Sequence, residues 1–386
     1  MGDQRDWLDR LDRRARLRKR AGLSRQLTAR GPLGKRPDAD VIDLAGNDYL
    51  GLARHPDVVA AAAKALDNYG LGATGSRLVR GSTDEHANLE AALGALLQQP
   101  AALVYSSGYL ANLGAIRAVA RPRGVILIDA HAHASLVDGA RLTGLTTEVV
   151  AHLDVAAFAA KLAEFGERGA LVVTESIFSV DGDLAPLRAL HAITRAAGAV
   201  LLVDDAHALG VLGSNGAGAV VDAGLAGEPD VVVTATLSKS VGAAGGVVAG
   251  AASLIGHLVD TGRTFIYDTA LPPSVAAGAL AGVELLRDAK ALRATLHARA
   301  ALAAQTLRTA GLGVSDPAGG VISIAAPDAA TALVWATACR DRGVAVGCFR
   351  PPSTPDPRSR LRLTINAGIS SSDFERALDV VMATAP

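Results

Sequence analysis

The chain has 386 residues, 50% of them hydrophobic, with 38 basic and 38 acidic side chains, and so carries no formal net charge at pH 7. That much apolar material supports a true core and excludes a disordered chain, while the charge balance argues against nucleic acid or an anionic membrane as the main partner, since both reward clustered positive charge. No window reaches the roughly 18 uninterrupted apolar residues of a membrane span, and the length predicts two or three domains, or one large domain with an appendage.

The one densely charged block opens the chain, DQRDWLDRLDRRARLRKR. It lacks the apolar centre of a secretory signal, and its interspersed Asp residues are wrong for an organelle transit peptide. Trp7, Leu8, Leu11 and Leu17 recur at roughly helical spacing, which predicts an amphipathic, salt-bridged helix docked on the body. Residues 1–44 are read as this helix and a linker. Two cysteines, Cys339 and Cys348, form neither a metal spacing nor a disulfide framework, which fits a reducing cytoplasm.

Short apolar runs then alternate with Ala/Leu-rich segments. The runs are AALVYSS (101–107), GVILID (124–129), TTEVVAH (146–152), GALVVTES (169–176), AVLLVDDAH (199–207), PDVVVTAT (229–236) and GGVVAG (245–250). Helical patterns separate them at 86–98, 155–166 and 186–198. Continuous apolar strands with helices between them predict an α/β domain, a mostly parallel sheet covered on both faces. After Pro272-Pro273 a long helical stretch (274–308) leads to VISIAA (321–326), a helix (328–342), VAVGCF (344–349), RLRLTI (360–365) and a last helix (371–384). The different rhythm predicts a smaller α+β domain. The division is 45–285 for the large domain and 286–386 for the small one.

Ligands of such sheets bind beyond the carboxyl ends of the strands, so the residues just after each run are the candidates. Lys239 stands three residues past VVVTAT, in TLSKSVGAAGG. An amine partly removed from water loses proton affinity and becomes able to condense with an aldehyde; a solvent-facing loop lysine is the plain alternative. Asp204 ends AVLLVD, with His207 three positions on. A carboxylate there needs a cation, and a protonated pyridine nitrogen is one, while a cap for the next element or a metal pair with Asp205 would also use it. SSGYLANLGAI (106–116) reads as a strand, a turn at Gly108 and a helix whose free N–H groups suit a phosphate, or as an ordinary junction. His133, in DAHAHAS, can stack on a planar ring or polarise a carbonyl; with His131 it could also resemble a metal pair. Glu175, Ser179 and the DGD turn (181–183) follow GALVVT, where Ser179 could bond a phenolic oxygen and turn chemistry explains as much. A dinucleotide site at GAAGG (242–246) is disfavoured, because these glycines precede a strand and do not open a helix.

Taken together, NDYLG (47–51), SSGYLAN (106–112), HAS (133–135), ESIFSVDGD (175–183), DDAH (204–207), TLSK (236–239) and RPPSTP (350–355) resemble the α-oxoamine synthases, pyridoxal phosphate enzymes of fold type I. The resemblance runs in order over about residues 40–370. It implies that Lys239 binds the cofactor aldehyde, Asp204 holds the pyridinium, His133 stacks on the ring, and His207 and Ser179 contact its phenolic oxygen. Ser107, Gly108, Tyr109, Thr236 and Ser238 would serve the phosphate, with Thr269, in YDTALPP, reaching across a homodimer interface. Arg362 would grip the amino-acid carboxylate, with Asn47 and either Ser353 or the next residue, Thr354, on the substrate side, and Arg25 or Arg20 as the acyl-binding arginine of the N-terminal region. The sequence departs from the family at Ala45-Gly46 before Asn47, at Ala208 after DDAH, and at Ser353 where a threonine is usual. Within the family, RPP followed by RLRLT is most similar to members that join L-alanine to pimeloyl-CoA or a pimeloyl carrier protein. Members that join glycine to acetyl-CoA or succinyl-CoA share the same core.

Overall fold

The structure, a computed structural model, describes residues 6–25, 27, 29, 41–165 and 168–386. The apolar runs form strands β1 (Ile42–Leu44), β2 (Ala101–Tyr105), β3 (Val125–Asp129), β4 (Thr146–Val150), β5 (Ala170–Glu175), β6 (Val200–Asp204), β7 (Val231–Thr236), β8 (Gly246–Gly250), β9 (Val321–Ala326), β10 (Val344–Phe349) and β11 (Ser359–Thr364). Seven of them make one sheet in the order β2-β8-β7-β6-β5-β3-β4. Only β8 runs against its neighbours. The reason is local: the short loop from Leu237 to Gly245 is too brief for a crossover, so β8 must return antiparallel.

Successive residues of one strand enter opposite layers, as the pleat requires. Val125 and Leu127 of β3 join the larger hydrophobic core, while Ile126 and Ile128 join the core on the other face. All of β3, β5, β7 and β8 are buried, which follows from helices on both faces. β4, at the edge, leaves Thr146 and Val149 exposed.

The second sheet has the order β1-β10-β11-β9. Its edge strand comes from the N-terminal segment read above as linker: Ile42 and Leu44 face inward and pair in parallel with β10. The predicted long helix is two, Pro273–Asp288 and Lys290–Thr309. Between them the Leu286 carbonyl accepts the Ala289 N–H and the Arg293 guanidinium, which interrupts the helical ladder. The helix Asp6–Arg20 does form, but it has no buried side chain. The expected docking on the body does not occur within the chain, because ten of its fifteen residues are charged and hold it in water. What fastens this segment is Arg350, which donates to the carbonyls of Gly22 and Ser24. Among the described residues no helix is long and apolar enough to cross a membrane.

The two sheets interlock at the turn after β5. Asp181 accepts from Arg360 of β11 and from Ser323 of β9, while the Gly182 carbonyl accepts the Ala318 N–H at 2.9 Å. Gly182 has φ +76°, and a Cβ there would lie 2.2 Å from the Val321 carbonyl oxygen. A left-handed non-glycine residue alone costs about 1–2 kcal/mol. Gly182→Ala is therefore expected to lower unfolding free energy by at least about 2 kcal/mol once the clash is added. Urea unfolding of the variant beside the parent measures it.

Candidate active site

The candidate residues converge at the carboxyl ends of β2, β3, β5, β6 and β7, with Arg362 coming from the small sheet. At the centre is Asp204, only 6% exposed. Its Oδ2 accepts Asn112 Nδ2 at 2.7 Å and its Oδ1 accepts the Ala206 N–H at 3.0 Å. No salt bridge to Asp204 forms among the described residues. Asn112 is fixed in turn by Thr234 Oγ1 at 2.5 Å and by Ser135 Oγ at 2.8 Å. Asn112 lies inside SSGYLAN, and the sequence gives it no role. An asparagine at the fifth position of a helix, opposite a strand-end aspartate, was the available signal.

Lys239 follows β7. Burial pushes its amine down to about 8, against the pull of Asp204 and Glu175, and the Arg362 charge adds to the fall. His207 is buried and its Nδ1 meets the Tyr49 hydroxyl at 2.6 Å. Desolvation, with Lys239 and Arg362 nearby, holds its proton affinity well below the usual value, so it stays neutral. Tyr49, inside NDYLG, is a second contact that sequence reasoning missed. His133 caps the helix Ala134–Thr143: its Nδ1 accepts the Ser135 N–H at 3.2 Å. An accepting Nδ1 places the neutral ring's proton on Nε2.

Arg362 is buried, at 6% exposure. It donates to the Ser179 carbonyl at 2.8 Å and to Asn47 Oδ1 at 3.1 Å, and its guanidinium lies 4.4 Å from the Phe349 ring centre. Its Nε has no partner. Burial lowers its proton affinity. A buried guanidinium with only neutral acceptors is a receptor for an anion.

At the opposite end, Ser107 caps the helix Gly108–Val119, accepting the Leu110 N–H at 3.2 Å. A Cβ on Gly108 would lie 3.0 Å from Thr236 Cβ, so this helix N-terminus abuts Thr236. Thr236 Oγ1 pairs with Ser238 Oγ at 2.7 Å. Tyr109 is exposed and donates to Asp138 at 2.6 Å. Thr269 stays outside the cluster, exposed beside Arg77, Ser106 and Asp268. Arg25 and Ser353, both exposed, bond each other at 2.6 Å.

The metal alternatives fail on geometry. Asp205 turns into the body, its Oδ1 accepting the Ala219 N–H, and burial lifts it to about 6. His131 stacks on His152 at 3.7 Å, and His152 bridges Asp129 and Asp183 at 2.8 and 2.6 Å. Among the described residues the one cluster of metal-ligand type, His191, Glu228 and Asp230, is already paired with Arg195. The loop 242–246 enters β8 and opens no helix, so it offers no dinucleotide phosphate site.

The residues do fit pyridoxal phosphate. An amine of lowered proton affinity, a buried carboxylate lacking a cation, and a helix N-terminus lined by hydroxyls are the three contacts that the aldehyde, ring nitrogen and phosphate need.

Similarity to known proteins points to the same cofactor. A model of the class I and II aminotransferases matches residues 39–381. An 8-amino-7-oxononanoate synthase of Mycolicibacterium gilvum is 47% identical over 378 residues, covering 97% of this chain and 96% of that protein. Among solved structures, a serine palmitoyltransferase variant from S. paucimobilis with a bound PLP–myriocin aldimine superposes with TM-score 0.91 at 30% identity, covering 99% and 98% of the two chains. An 8-amino-7-oxononanoate synthase of Francisella tularensis gives TM-score 0.76 at 26% identity, covering 89% and 97%.

In cofactor-free protein, acylation of Lys239, followed by peptide mapping, is expected to show a midpoint near pH 8, not the ordinary 10.5. The burial penalty is fully present below pH 8 and lifts as pH rises toward 10.5. Lys239→Met should accordingly stabilise the cofactor-free protein more at pH 7 than at pH 10. Asn112→Ala, which strips a charge-assisted bond from Asp204, is expected to cost about 1.5–3 kcal/mol in urea unfolding.

Proposed function

The chain belongs to the class I and II aminotransferase family and is a pyridoxal-phosphate-dependent, acyl-transferring enzyme, and on that premise we propose that it condenses L-alanine with a pimeloyl thioester, of CoA or a carrier protein, to form 8-amino-7-oxononanoate for biotin synthesis. The observation that carries the reading is the pairing of Lys239, its amine driven down by burial, with Arg362, a buried guanidinium that has no carboxylate of its own.

When bound, pyridoxal phosphate supplies an electron sink for the α-carbon of the amino acid. Lys239 would hold its aldehyde and Asp204 its ring nitrogen. His133 would lie on the ring face and His207 and Ser179 at its phenolic oxygen, with the Gly108 helix end, Ser107, Tyr109, Thr236 and Ser238 around the phosphate. Arg362 grips the alanine carboxylate with two N–H donors, and Asn47 orients that fork. Lys239 Nζ would take the α-proton, burial holding its proton affinity below that of an ordinary lysine. A carbon–carbon bond then forms at the thioester carbonyl, the carbon–sulfur bond breaks, and the thiolate leaves, taking a proton from solvent. Loss of carbon dioxide and return of a proton to the α-carbon complete the balance. Arg25 and Ser353, bonded to each other at the chain surface, would meet the acyl substrate.

The same reading includes a homodimer working in the cytoplasm. Its large domain spans 45–285 and its small one 286–386, and Thr269, exposed and outside its own chain's cluster, serves the second copy's phosphate.

Purified protein loaded with the cofactor is to be offered alanine, glycine or serine, each with pimeloyl-, acetyl- or succinyl-CoA. Alanine with the pimeloyl thioester is expected to give the highest kcat/KM. A preference for glycine would move the reading to the acetyl- or succinyl-using relatives. Lys239→Ala is expected to abolish turnover. Arg362→Lys should raise the alanine KM by about tenfold or more, with kcat changed less, since a point charge cannot reproduce the fork.

A further inference from the structure

Glu175 ends β5, and the parallel register sets it opposite Asp204 of β6. Register partners point to the same face, so two carboxyl groups share one buried neighbourhood. Glu175 is 2% exposed. Its Oε2 accepts the Ser179 N–H at 3.1 Å, and the backbone N–H of His133 lies near enough to favour the ionised carboxyl. Oε1 is buried and has no hydrogen-bond partner. A glutamate placed only to close a turn would not also lie beside the loop after β3.

The chain of contacts goes one step further. Ser179, held by its N–H to Glu175, presents its carbonyl to Arg362 at 2.8 Å. We propose that Glu175 is a positioning residue that fastens the His133 loop and the Ser179 turn together, and through the Ser179 carbonyl sets the Arg362 fork for the substrate carboxylate. It acts as a neutral acid. Two buried carboxylates side by side do not both ionise, and here burial and Asp204 raise the proton affinity of Glu175 well above the usual range, against the opposing charge of Lys239. That His133 and Arg362 touch cofactor and substrate rests on the function proposed above; the fastening of the two backbones does not.

Three variants separate the possibilities. Glu175→Gln keeps an acceptor oxygen at full length and mimics the neutral acid, Glu175→Asp is one methylene short, and Glu175→Ala removes the group. The first readout is amide hydrogen exchange at His133 and Ser179 in cofactor-free protein. The second is the alanine dissociation constant, from visible absorbance of the cofactor-loaded protein, with kcat and KM measured separately. Glu175→Gln is expected to stay within about threefold of the parent in both readouts. Glu175→Ala should speed exchange of both amides and weaken alanine binding by about tenfold or more, the equivalent of one lost hydrogen bond to a charged or buried group, with kcat changed less. Glu175→Ala with both amides still protected overturns the proposal, as does Glu175→Gln impaired like Glu175→Ala. Should Glu175→Ala not fold, Glu175→Asp decides: loss of protection supports the fastening, and parent-like protection overturns it. A parent protein that gives no alanine signal counts against the proposed function alone, since amide exchange still judges Glu175.

Discussion

A carboxylate held almost out of water without a salt bridge is the constraint around which this molecule is arranged. Asp204 sits at the end of a buried strand, and an uncompensated buried carboxylate costs several kcal/mol. Its tolerance comes from donors that cannot move away: Asn112, itself held by Thr234 and Ser135, and the Ala206 amide. Two strands and two helices therefore converge on one carboxylate. The remaining charge deficit is what a protonated ring nitrogen would remove on binding.

That anion orders its neighbours. Lys239 is pulled toward its charged form by Asp204 and pushed from it by burial, and burial wins. His207 lies among cations and stays neutral, leaving its Nδ1 as a partner for the Tyr49 hydroxyl. The buried cation of the small sheet, Arg362, is held by hydrogen bonds to Ser179 and Asn47 and forms no salt bridge among the described residues. The site thus holds a carboxylate and a guanidinium, neither of them salt-bridged among the described residues, whose counter-charges cofactor and substrate can supply. Burial makes both interactions stronger than they would be in water.

Much of this was legible along the chain. The apolar runs became strands within a residue or two, because a strand covered on both faces has no choice but to be apolar throughout. The residues after those runs gathered into one cluster, since parallel strands present all their carboxyl ends at one edge. Other features were hidden. The strand Ile42–Leu44 is too short to show periodicity, and pairs with β10, about 300 residues away in sequence. The helix Asp6–Arg20 carries an apolar stripe that suggested docking, but spacing does not say whether a partner surface exists. Asn112, Tyr49 and Glu175 looked like ordinary members of their motifs, because their importance lies in what they face.

By itself, then, the sequence settled the α/β class, the covered parallel sheet and the set of chemical groups available, because periodicity and strand-end position are local properties of the chain. Tertiary structure alone decided strand order, the pairing of Arg25 with Ser353, the stacking that takes His131 away from His133, and the hydrogen bonds that hold Asp204 and Arg362. Those outcomes depend on distances between residues far apart in the chain, and proton affinity depends on burial, which no linear pattern records.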